Sequence, residues 1–283
     1  MFLEKESFNE PLSGWDMSNA TTTSFMFYGA NSFNQPLEEW DVSQVTDMQW
    51  MFAFATAFDQ PLEAWSVGKV TSTQWMFRDA STFNQPLDGW DVGQVKDMNH
   101  MFSSAASFNQ TLAGWDVGQV VTMSFMMEGT AAFDHPLEDW DVSRVTSMYG
   151  MFGWSSYNQP LQGWNVSQVT SMVGMFEGAI YFDQPLSEWD VSNVNSMQWM
   201  FRGAESFNQP LEGWDVSRIA NMGIRGIFEG ATAYNQTLCA WGSRLSPSVD
   251  ETGMFEGADS CPTDSEPSFN ATPPGPFCYE CTS

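Results

Sequence analysis

Residues Phe83 to Ser107 read FNQPLDGWDVGQVKDMNHMFSSAAS, and most of the chain is a set of variations on this stretch. The tryptophans mark its beat: Trp15, Trp40, Trp65, Trp90, Trp115, Trp140, Trp164, Trp189, Trp214 and Trp241. They stand 25 residues apart, except for one step of 24 and a last step of 27. A fixed period in the twenties is the signature of a solenoid, in which each unit buries its apolar face only by stacking on its neighbours.

Within the repeat, Leu87, Trp90 and Val92 follow the spacing L-x-x-W-x-V. That spacing matches the strand core of a leucine-rich repeat and predicts a short strand, with Gly89, Asp91 and Gly93 turned to the open face. Val95, Met98, Met101, Phe102 and Ala105 then recur at steps of three and four, which predicts a short helical turn with one buried stripe. Gly29, Gly129, Gly178, Gly203 and Gly230 read as its stop signals, and Pro86 punctuates the loop to the next strand. The predicted fold class is a leucine-rich-repeat-like solenoid, one short parallel strand plus a short helical turn per 25-residue repeat, in about ten turns.

The motif F-N-Q-P-L-x-x-W-D-V-S-x-V-T-x-M-x-x-M-F-x-x-A resembles the BspA-like leucine-rich repeat surface proteins, specifically the domain of unknown function first noted in mycoplasma lipoproteins. Phe33-Asn34-Gln35-Pro36-Leu37, Trp40-Asp41-Val42-Ser43 and Met51-Phe52 carry the resemblance, which covers roughly residues 1–258. It implies a right-handed solenoid on a cell surface or in a secreted protein, with adhesion or partner binding as its role and no catalytic residues.

The solenoid is predicted over residues 1–258, its first unit incomplete and its last units degenerate, followed by a Pro/Ser/Cys-rich cap or tail over 259–283. Met1 occupies the place of a repeat methionine, so the natural chain is expected to extend upstream, and a Cys-rich continuation is expected beyond Ser283. Cys239, Cys261, Cys278 and Cys281 all lie near the C-terminus. An even number there points to a disulfide-stapled cap in an oxidising compartment, with three pairings open. The alternative is a zinc site built on Cys278-Tyr-Glu-Cys281, which lacks a matching second pair. Sequons at Asn19, Asn109, Asn165, Asn235 and Asn270 are glycosylation candidates if the protein is secreted by a eukaryote. Nine Lys+Arg against thirty-five Asp+Glu give a formal net charge of −26, which repels nucleic acid and anionic membrane and attracts divalent cations and basic partners. No apolar run approaches the roughly 20 residues of a membrane helix.

A stacked array turns each repeat position into a column. The Asn column from Asn9 to Asn235 reads as a hydrogen-bonding ladder between units. The Met columns, Met48 to Met222 and Met51 to Met254, could ligate Cu(I), but core filling beside Phe52 and Phe102 is favoured. Asp16, Asp41, Asp91, Asp116, Asp141, Asp190 and Asp215 form an acidic column on the open sheet face. Mutual repulsion there would raise their pKa values, draw a Ca²⁺ ion or seat a basic partner; the competing reading, which is favoured, is a local Asx turn at each one. Phe25, Trp50, Trp75, His100 and Phe125 share an aromatic column to which Trp199 returns, with Gly150 and Gly174 interrupting. Opposite a helical stripe these rings would be exposed as a contact surface; in a non-helical segment they would tuck inwards. No nucleophile elbow, P-loop or metal-ligand cluster is present, and the only histidines, His100 and His135, lie more than a repeat apart. The expectation is a non-catalytic, cofactor-free structural or adhesive protein at the cell surface, contacting protein, glycan or a second copy of itself. The alternative is a Ca²⁺-dependent binding module using the Asp column.

Overall fold

A computed structural model describes residues 2–263 and 265–281. The chain divides into two compact units, Met1–Arg144 and Val145–Ser283. Within each, equivalent positions of successive repeats meet in register. In the first unit the N–H groups of Phe25, Phe27 and Gly29 donate to the carbonyls of Gln49, Met51 and Ala53 at 3.0, 2.9 and 2.8 Å. Those of Trp50, Phe52 and Phe54 donate in the same way to Gln74, Met76 and Arg78. The alternate amides turn back on their own repeat: Met26 bonds Thr23, and Ala30 bonds Phe27. One set of donors therefore joins neighbours and the other closes turns, which accounts for the segment's backbone polar groups without a helix or a continuous strand. The second unit repeats the scheme, with Gly150, Phe152 and Trp154 donating to Val173, Met175 and Glu177.

This arrangement differs from the expected one. The parallel pairings fall at Thr22, Asp47, Ser72, Asp97 and Thr122 in the first unit and at Ser147, Ser171 and Ser196 in the second, as isolated bridges. None falls on L-x-x-W-x-V. The expected helical turn is a run of tight turns, and the single helix among the described residues is a short 3₁₀ turn, Cys239–Ser243. The steps of three and four come from turns that close on the residue three back, a spacing that also belongs to a helix face.

The core holds the apolar columns. Leu87, Trp90, Val92, Val95, Met98, Met101, Phe102 and Ala105 are all buried, as are most of their equivalents along both units. The Met columns are therefore packing, where a flexible thioether fills the space between stacked rings. Met222 is a correction: it is 42 % exposed, and Ile224 takes its place in the core, because the two-residue insertion after Ile219 shifts the register. Tryptophan rather than leucine marks the repeat for a reason visible in the hydrogen bonds. In these repeats the indole Nε1–H reaches back to the leucine carbonyl of the preceding repeat, as in Trp65 to Leu37 at 2.9 Å, Trp115 to Leu87 at 2.8 Å and Trp189 to Leu161 at 2.9 Å. The side chain thus fills the core and staples two repeats together. Trp15 makes no such bond and is 38 % exposed.

The Asn ladder is present. Asn34 Oδ1 accepts the Asp59 N–H at 3.0 Å and the Gln60 side-chain amide at 2.9 Å, and Asp183 does the same for Asn208 and Gln209. Asn and Asp alternate freely here because only the acceptor oxygen is used.

Candidate functional site

The aromatic column is built on unusual backbone. Phe25, Trp50, Trp75, His100 and Phe125 all have left-handed φ, between 55° and 63°. An L-residue in that conformation costs about 1–2 kcal/mol. Each ring is compensated by its neighbours: centroids lie 5.7 Å apart for Phe25–Trp50, 4.4 Å for Trp50–Trp75, 3.5 Å for Trp75–His100 and 4.5 Å for His100–Phe125, all near parallel. Stacked pairs contribute about 0.5–1.5 kcal/mol each beyond area burial, which offsets part of the strain. The rings stand outside the core. Phe25 is 41 % exposed and the other four are half-buried, so the column meets both sequence expectations halfway. The segment is not helical, yet the rings do not enter the core; they cover one another and present their edges. Trp199 adopts the same backbone, φ 56°, in the second unit, where its indole lies against Gly226.

Three residues that sequence reasoning missed extend this surface. Tyr28 and Phe54 meet edge to face, and the Arg78 guanidinium carbon lies 4.5 Å from the Trp75 ring centroid and 5.5 Å from that of Phe54. Arg78 also pairs with Asp79 at 3.0 Å. Phe54 occupies the second left-handed position of its repeat, filled by Gly29, Gly129 and Gly178 elsewhere. Those glycines are left-handed turn positions, and Gly150 and Gly174, at φ 61° and 59°, interrupt the aromatic column because it is one as well. That glycine substitution is the signal from which the column's backbone could have been read.

His100 lies inside the stack with Nδ1 buried and unpartnered. Burial first, and the Arg78 charge second, lower its pKa to about 4 from the ordinary 6.5. Between those two values the unfolded chain holds the extra proton, so the unfolding free energy rises with pH across that window. Acidification from pH 7 to 4.5 is therefore expected to weaken the first unit, and His100→Phe to remove this part of the loss. Urea titrations of both chains at the two pH values check it; equal losses in both would contradict it.

The acidic column takes the local role. Asp41, Asp91, Asp116, Asp141, Asp190 and Asp215 each accept the N–H two residues on, at 3.0 to 3.2 Å. Where that residue is serine, its hydroxyl and then its N–H hold Asp16, Asp41, Asp141, Asp190 and Asp215 below the usual carboxylate range, opposite to the direction expected from mutual repulsion. Gly93 and Gly118 leave room for these carboxylates: a Cβ on either would lie 3.2 or 3.3 Å from an Asp oxygen. Among the described residues no group of three or more His, Cys, Asp or Glu is placed to hold a metal ion.

The cysteines form two disulfides, Cys239–Cys281 and Cys261–Cys278, which leaves none for the alternative zinc site. They fasten the segment after Ala258 onto the last repeat: Leu238 N–H donates to Phe277 O at 3.2 Å, and Tyr279 Oη to Asn235 Oδ1 at 2.6 Å. The sequon residues Asn19, Asn109, Asn165, Asn235 and Asn270 are all exposed. Asn109 and Asn235 also belong to the Asn ladder, their backbone N–H groups donating to the side-chain oxygens of Asn84 and Asn208.

Register, ladder and disulfides define a tandem-repeat protein with a covalently fastened C-terminal segment. The chain belongs to the family described as Mycoplasma protein of unknown function, DUF285, which matches residues 1–113, 86–172 and 153–267. It has no significant match among curated proteins.

Proposed function

We propose that this protein is a non-catalytic, adhesive or structural scaffold of the BspA-like leucine-rich-repeat kind, a solenoid of stacked repeats that works outside the cell. The observation that carries the reading is the ring column Phe25–Trp50–Trp75–His100–Phe125, held outside the core on strained backbone. A folding role alone would be served as well by the glycines found at the same position in other repeats. An apolar strip of this kind, rimmed by polar groups, suits a contact surface. Because the ring faces are spent on one another, the strip favours a protein partner or a second copy over a sugar, which would stack on a free face. The two disulfides suit an oxidising compartment. No helix among the described residues is long and apolar enough to cross a membrane.

The test compares immobilised wild-type chain with the Trp50→Ala/Trp75→Ala double variant, after far-UV circular dichroism shows both folded. Each is exposed to a second copy of the chain and to panels of extracellular-matrix proteins and glycans. Wild type is expected to retain a protein or itself, and the double variant to lose it at least about tenfold, as for a central aromatic anchor. Absence of any binding, or undiminished binding by the variant, would sink the reading.

A further inference from the structure

An open cavity of about 460 Å³ lies in the first unit, lined by Glu4, Glu6, Tyr28 and Phe54 together with Gly29, Asn31 and Thr56. Its two aromatic walls meet edge to face, ring centroids 5.3 Å apart at 70°. Unlike the column, Tyr28 is not closed by parallel rings: it meets Phe25 and Trp50 only at a tilt, while the Arg78 guanidinium carbon lies 5.5 Å from the Phe54 centroid. The negative face of a π-system and a carboxylate attract the same thing, a cation. Glu4 and Glu6 are exposed, and among the described residues neither makes an ion pair; Lys5, between them, makes none either.

The protein holds the corresponding complex beside this cavity. The Arg78 guanidinium rests against Trp75 and Phe54 while Asp79 accepts its Nε–H at 3.0 Å. A planar, weakly hydrated guanidinium is the cation that combines ring stacking with carboxylate pairing. With nine basic residues in a chain of net charge −26, the matching cation is expected from outside.

We propose that this cavity takes an arginine side chain of a basic protein partner, its guanidinium against Tyr28, with Phe54 as the adjoining wall, and paired with Glu4 or Glu6. The site does not depend on the ring column acting as a contact surface, and its test uses a separate probe. Acetyl-Gly-Arg-Gly-amide is titrated into the full chain, followed by calorimetry and by the Tyr28 ring resonances, alongside its citrulline and lysine counterparts. Citrulline keeps the shape and removes the charge. The arginine peptide is expected to bind at least about tenfold more tightly than the citrulline peptide and more tightly than the lysine peptide. Glu4→Gln/Glu6→Gln is expected to lose that preference, as is Phe54→Leu. Asp41→Asn, which removes one charge elsewhere, is expected to leave it intact. Equal binding of arginine and citrulline, tighter binding of lysine, retention in Glu4→Gln/Glu6→Gln, an equal loss in Asp41→Asn, or no binding would each overturn the assignment.

Discussion

Trp115→Ala is expected to lower the unfolding free energy of the first unit by about 3–5 kcal/mol, the range for emptying a large core site. Trp115 is buried, its indole donates to Leu87 O at 2.8 Å, and its ring lies parallel to that of Trp140, 6.4 Å away. Trp115→Phe separates packing from the staple. Phenylalanine keeps a ring and loses the N–H, while the Leu87 carbonyl still accepts the backbone N–H of Trp90 at 3.0 Å. Since no acceptor is orphaned, that variant should lose only one hydrogen bond and a little volume, about 1–2 kcal/mol. Trp15→Ala should cost about 1 kcal/mol or less, since that ring is partly exposed and makes no indole bond. Guanidinium titrations of the three variants check the order, and a Trp15 effect equal to that of Trp115 would contradict the staple.

Removal of the disulfides is expected to have the other large effect, confined to the C-terminal part. Cys261–Cys278 closes a span of 17 residues and Cys239–Cys281 one of 42. The loop-closure argument gives about 3 and about 4 kcal/mol respectively. Among the described residues the segment is otherwise held by Phe277 packing over Gly242, where a Cβ would meet its ring at 2.9 Å, by Tyr279 Oη donating to Asn235 Oδ1, and by backbone bonds such as Thr263 N–H to Cys278 O. Because a repeat array is stabilised by nearest neighbours, the loss should stay local. Chymotrypsin with and without reductant tests this. Cleavage at Phe269 and Phe277 should appear on reduction, while the region from Phe27 to Phe133 stays resistant. Unchanged cleavage, or collapse of the whole chain, would count against a local staple.

Much of this was legible in the sequence, for particular reasons. Periodicity alone identifies the buried columns, because Leu87, Trp90, Val92, Met98 and Phe102 recur at one register and are buried together. The Asn ladder and the Asx role of Asp41 follow from what short polar side chains do next to a turn. The path of the backbone was not legible. Turns closing three residues back leave the same apolar spacing as a helix, and Trp50 or His100 by itself gives no hint of left-handed φ; only Gly150 and Gly174 at the same column position carry that signal. Tyr28, Phe54 and Arg78 escaped notice because their positions are not filled alike from repeat to repeat; only the three-dimensional stack shows that they adjoin. Met222 looked like a core residue until the insertion beside it moved Ile224 into place.

The position of the ring column outside the core depends on which backbone segment joins one repeat to the next, and amide hydrogen exchange reads that directly. Trp75 and Phe77 donate to Asn99 and Met101 at 2.9 and 2.8 Å, so their amides should exchange slowly, like those of Trp50 and Phe52. The stretch Leu87–Val92, where a leucine-rich-repeat strand would lie, carries no parallel bridge, and the amides of Asp91 and Val92 should exchange fast. Slow exchange over Leu87–Val92 with fast exchange at Trp75 and Phe77 would contradict this arrangement, and with it the outward ring column.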